Sequence, residues 1–74
     1  MVEIRKFLNR KGSNGIAAVY ATFDGRWGTV TITDCSRTIS LDLTADNKQT
    51  KQNTLYKLDT LISVFNELRS AVAS

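Results

Sequence analysis

The apolar residues of this chain change their spacing near residue 45, and that change constrains the fold more than any other feature. Up to Thr44 they tend to fall at every second position. From Asp46 onward Leu55, Leu58, Leu61, Ile62, Phe65, Leu68 and Val72 recur three and four apart. A spacing of two sends alternate side chains to opposite faces of a strand, whereas three-and-four spacing lines one side of a helix. A run of short strands followed by one long helix is therefore predicted. The helix must bury its stripe on one face of the sheet.

Turn residues divide the alternating part. A first strand is expected at about 2–9, with Val2, Ile4 and Leu8 on one face and Glu3, Arg5 and Phe7 on the other. Lys6 falls on the apolar side, which a bulge or a snorkelling ammonium at the sheet edge would accommodate. The loop Arg10 to Gly15 supplies Gly and Asn for positive φ. Strands are expected at about 16–23 and 26–33, joined by Asp24-Gly25, a two-residue hairpin signal. A fourth follows at about 37–43, after the turn Asp34-Cys35-Ser36. The helix is placed at about 51–72, its start falling between 47 and 54. Asp46 with Gln49 is one candidate capping box, and Thr50 or Asn53 would cap a shorter helix. Lys48 and Lys51 oppose the positive end of the helix dipole, which favours the later start or a bound anion. The class is α+β: a four-stranded antiparallel meander, β-β-β-β-α, with one C-terminal helix packed on one sheet face.

With Asp24-Gly25 at the tip, Phe23 faces Arg26, Thr22 faces Trp27, Tyr20 faces Thr29 and Val19 faces Val30. One face then carries Ala17, Val19, Ala21, Phe23, Val30 and Ile32, joined by Ile39, Leu41 and Leu43. It suits a helix lined with Leu, Ile and Phe. Tyr20 and Trp27 stand on the opposite face among threonines, with Arg5, Phe7, Thr38 and Ser40. A slip of one residue would exchange the two faces.

Seventy-four residues bound one small domain, which buries only about 60% of its unfolded surface. One cysteine and no histidine exclude an internal disulfide and an ordinary zinc site. A partner subunit is the remaining source of extra stability, with a monomer as the alternative. Leu61, Val64, Leu68 and Ala71 widen the helical stripe beyond Leu58, Ile62 and Phe65, and so form a candidate homodimer interface. A deeply seated helix is the equal alternative. The lone cysteine, the absence of a long apolar run in MVEIRKFLNRKG and the lack of an 18-residue apolar segment point to a cytoplasmic protein without a membrane anchor.

Catalytic groups are scarce. Cys35 has no histidine to activate it and reads as structural. The carboxylates are scattered, so no enzyme and no cofactor is expected. KGSNG resembles a small phosphate nest but lacks the ending of a P-loop, so a plain loop is preferred. What remains is surface. Net charge is +3, and Arg5, Lys6, Arg10 and Lys11 are opposed among the first eleven residues only by Glu3. Aromatic rings among hydroxyls and guanidinium groups form a platform on which bases stack. Candidate nucleic-acid contacts are Arg5, Phe7, Tyr20 and Trp27, with Arg10, Lys11 and Arg26 around them. Two alternatives stand beside this. Aromatic–threonine pairs stabilise a sheet without any ligand. A few aromatic anchors on a polar surface also suit a compact protein-interaction module, such as a phage-type inhibitor or accessory protein.

The stretch RKFLNRKGSNG, and RTISLDL leading into the helix, give a β-β-β-β-α order that resembles the Pur-repeat and Whirly-type single-strand DNA-binding proteins. The resemblance is one of topology. It implies a sheet that binds single strands and a helix that supports dimerisation, with Arg5, Phe7, Tyr20 and Trp27 as the contacts.

Overall fold

The computed structural model describes residues 1–12 and 15–74. Strands β1 (Val2–Phe7), β2 (Ala18–Phe23), β3 (Trp27–Asp34) and β4 (Arg37–Thr44) are followed by helix α1 (Lys48–Ala73). The strands form one antiparallel sheet in chain order, β1-β2-β3-β4, so the architecture is α+β with the helix last. No helix among the described residues is long and apolar enough to cross a membrane.

The three ladders run without a bulge. Arg5 pairs with Tyr20 and Lys6 with Val19; Val30 pairs with Ala21 on one side and Leu41 on the other. Lys6 therefore sits in register on an edge strand, exposed, where its ammonium reaches water without a bulge. β1 stops at Phe7 and not near residue 9. Leu8 still donates its N–H to the Ala17 carbonyl at 2.8 Å, but the Asn9 side-chain oxygen then accepts the Ala17 N–H. A side chain thus replaces the next rung of the ladder. The KGSNG stretch, 11–15, includes Ser13 and Asn14, which lie outside the described residues, and the choice between loop and nest lies there with them.

The β2–β3 hairpin differs from expectation by two residues. Phe23 pairs with Gly28, Thr22 with Thr29 and Tyr20 with Thr31, so the tip is Gly25-Arg26 and not Asp24-Gly25. Two local causes act together. Gly25 adopts φ +106°, the positive value that a two-residue tip of the II′ kind requires at its first position. The Asp24 carboxylate accepts the N–H of Trp27 at 2.8 Å and of Arg26 at 2.9 Å, which moves the turn one residue along. Gly28 is needed as well, because a Cβ there would fall on the Thr22 carbonyl oxygen. The β3–β4 tip is Cys35-Ser36 between the paired Asp34 and Arg37. Cys35 carries the positive φ, +58°.

The helix begins early. Asn47 is its N-cap: its side chain accepts the Thr50 N–H at 2.9 Å, and the Thr50 hydroxyl accepts the Asn47 N–H at 3.1 Å. This reciprocal box replaces the expected Asp46–Gln49 pair and the later start. Asp46 still contributes, since its carboxylate accepts the Thr50 hydroxyl at 2.9 Å and sets a negative charge near the helix start.

The first turns of α1 lie over the aliphatic side of the sheet. Leu55 and Leu58 face Val2, Ile4, Phe23 and Leu43 across an apolar cleft of about 380 Å³. The helix is also tied to the outer edge of β4. The Thr54 hydroxyl donates to the Thr44 carbonyl, and the Lys57 ammonium donates to the Asp42 carbonyl at 2.8 Å. Burial is shallow: Ala17, Ala18 and Leu43 are the buried apolar residues among those described.

Two substitutions check these local causes by denaturant unfolding at fixed protein concentration. Cys35→Gly relieves a left-handed non-glycine residue and should raise stability by about 1 kcal/mol. Asn47→Ala removes the cap and should lower it by about 1 kcal/mol.

Candidate nucleic-acid interface

The face turned away from the helix is organised in rows across the strands. Phe7, Ala18, Thr33 and Thr38 form one row, and Arg5, Tyr20, Thr31 and Ser40 the next. Glu3, Thr22, Thr29 and Asp42 form the third, and Trp27 with Thr44 closes the far end. The register shift at the hairpin is even, so Tyr20 and Trp27 stay on the expected face. The cleft under the helix is lined by the opposite set of side chains, Val2, Ile4, Ala21, Phe23, Val30 and Leu43.

Three of the expected contacts come together. The Arg5 guanidinium lies 4.9 Å from the centroid of the Tyr20 ring, within range of a cation–π interaction. Phe7 is 76% exposed one row away. At about 3.4 Å per residue along a strand and 4.8 Å between strands, the Phe7 and Tyr20 backbones are about 8 Å apart. Arg10 and Lys11 continue from this end of β1 into the loop. Trp27, 55% exposed, is about 14 Å from Tyr20 by the same arithmetic. It stands with Arg26 at the other end of the sheet, beside a shallow cleft lined by Thr22, Thr29, Asp42 and Thr44.

Hydroxyls fill the space between. Thr31 and Ser40 share a hydrogen bond at 2.8 Å, and the Thr33 hydroxyl donates to the Ala18 carbonyl at 3.4 Å. Thr22 and Thr29 approach to 3.4 Å. Reading along the chain did not single out the Glu3 and Asp42 row, which crosses the platform between Tyr20 and Trp27. It also missed Asp24 as the group that positions Trp27. For Asp24 the available signal was an Asx residue at the start of a turn.

The N–H groups of Trp27 and then Arg26 hold the Asp24 carboxyl below its ordinary value of 3.8. No group of three or more His, Cys, Asp or Glu gathers to hold a metal ion among the described residues. Of the residues expected at a subunit interface, Leu61 is half-buried, while Val64, Leu68 and Ala71 are exposed. No family model, curated protein or solved structure matches the chain.

A group whose folded pKa is depressed stabilises the fold above its ordinary value and loses that contribution as pH falls through the folded one. Asp24→Ala should therefore lower the melting temperature at neutral pH. The gap from wild type should narrow as the solution is acidified below 3.8. Thermal melts followed by Trp27 fluorescence over a pH series check this.

Proposed function

We propose that the chain is a small non-enzymatic nucleic-acid-binding module that favours single strands. The observation that carries this reading is the Arg5–Tyr20 stack, 4.9 Å from guanidinium to ring centroid, at the middle of an uncovered aromatic and hydroxyl face. A flipped or unpaired base stacks on exposed rings for about 1–3 kcal/mol with little sequence preference. Phe7 and Tyr20 supply one stacking station and Trp27 a second. Arg5, Arg10 and Lys11 supply phosphate partners at the first station, and Arg26 at the second.

The acid row gives the reading a direction. Glu3 on β1 and Asp42 on β4 put acids at the two ends of the row between the stations, so they repel a polyanion at the sheet edges and a strand joining the stations passes over Thr22 and Thr29. Base stacking needs no duplex to be opened when the strand is already single, which favours that substrate. The setting proposed is cytoplasmic, in keeping with one unpaired cysteine. The β-β-β-β-α order resembles that of Pur-repeat and Whirly-type proteins, a likeness of topology that supports the reading.

Fluorescence anisotropy with a labelled mixed-sequence oligonucleotide tests it. Four cations imply a slope of log affinity against log salt of up to about 3 in magnitude, at about 0.7 per phosphate. Phe7→Ala and Trp27→Ala should each weaken binding by about tenfold, the equivalent of about 1.4 kcal/mol. Failure to bind single strands at micromolar protein in low salt overturns the proposal.

A further inference from the structure

The apolar side of α1 continues beyond the sheet that supports it. Thr54, Leu58, Leu61, Phe65, Leu68 and Val72 follow one another at alternating steps of four and three, the 3.5-residue repeat of a helix seam that meets a partner. Thr54, Leu58 and Leu61 are half-buried. Phe65, Leu68 and Val72 are 53%, 55% and 86% exposed. The chemistry of the seam does not change at Leu61; only its cover ends. A helix of 26 residues is about 39 Å long, whereas an eight-residue strand spans about 27 Å. On the aliphatic side of the sheet, Ile39 is 57% exposed as well.

The uncovered area can be measured. The chain exposes 6396 Å², while a folded monomer of 8.2 kDa exposes about 4,500 Å². The radius of gyration is 14.2 Å, against about 11 Å for a compact chain of this length. Roughly 1,900 Å² per chain is in excess, or about 3,800 Å² for two. Obligate homodimers bury about 2,000–5,000 Å² in total.

We propose that a second copy of this chain supplies the missing cover. Around a two-fold axis, the distal seam of each protomer, Phe65 to Val72, seats on the open aliphatic surface of the other, around Ile39 and the mouth of the cleft. Both halves of the contact are present on one chain, as an isologous pair requires. Charge agrees. Residues 62–73 carry only Glu67 and Arg69 as charged groups, so the distal part of the helix is close to neutral. A helix that lies on an anionic membrane instead carries a basic rim. Val64 and Ala71 flank the seam and form the margin of the same contact. This assembly is independent of what the aromatic face binds.

Sedimentation equilibrium across a hundredfold range of concentration tests it. The wild-type chain should have twice the 8.2 kDa mass, and its melting temperature should climb with concentration. Phe65→Asp with Leu68→Asp should give an 8.2 kDa species. A double variant that fails to fold, beside a concentration-dependent wild-type melt, gives the same answer, because pairing is then a condition of folding. Ser63→Glu, on the opposite side of the helix, should leave the dimer intact. A wild-type chain that stays at 8.2 kDa with a concentration-independent melt overturns the proposal, as does a dimer that survives the double substitution unchanged.

Discussion

Unbroken antiparallel register is the constraint on which the rest depends. Three ladders without a bulge leave each side chain only one of two directions, and the direction is inherited from its cross-strand partner. Aliphatic residues on all four strands, with Phe23, therefore face the helix together, and hydroxyl residues with Phe7, Tyr20 and Trp27 face away together. The register is held most firmly at the β2–β3 tip. There the Asp24 carboxylate takes two main-chain N–H groups, and Gly28 lets the strands approach where a Cβ would meet the Thr22 carbonyl. A slip by one residue at this point would bury threonines under the helix and expose valines and isoleucines.

The same constraint separates two jobs in space. The apolar side holds the helix and has surface left over, while the polar side is free of any role in holding the helix. A chain of 74 residues has too little interior to spread stabilising contacts over both faces. Its few buried residues lie near the strand ends: Ala17 and Ala18 where β2 begins, and Leu43 beside the helix start. The Arg5–Tyr20 stack and the threonine ladders tighten the polar side without closing it.

Face parity was legible in the residues because it survives an even shift. Expecting Thr22 opposite Trp27 and finding it opposite Thr29 changes every pair but no face. The tip itself was not legible, since Asp24-Gly25 and Gly25-Arg26 both offer a glycine, and only the Asp24 carboxylate bonds decide between them. The helix starts at Lys48, inside the expected 47–54 window, and the preference for its later end failed for an energetic reason. Lys48 and Lys51 near the dipole cost about 0.3–1 kcal/mol, but a reciprocal Asn47–Thr50 cap contributes about as much or more. The extent of β1 turned on one amide, Asn9, whose reach to Ala17 no alternation reveals. Glu3 and Asp42 were visible as residues on the polar face. Their alignment in one row needed the register of all three ladders.

The bonds from α1 to β4 have a consequence for growth in the plane of the sheet. Ala45 turns its N–H inward to the Arg26 carbonyl, so the alternate residues Thr44 and Asp42 turn their carbonyls outward. Thr54 and Lys57 occupy both. A foreign strand arriving at that border finds the Thr44 and Asp42 acceptors already taken, and at the other border it meets Glu3, Arg5 and Lys6 in succession. Ribbon-like polymerisation, the usual hazard of an open meander, is thereby discouraged at both flanks.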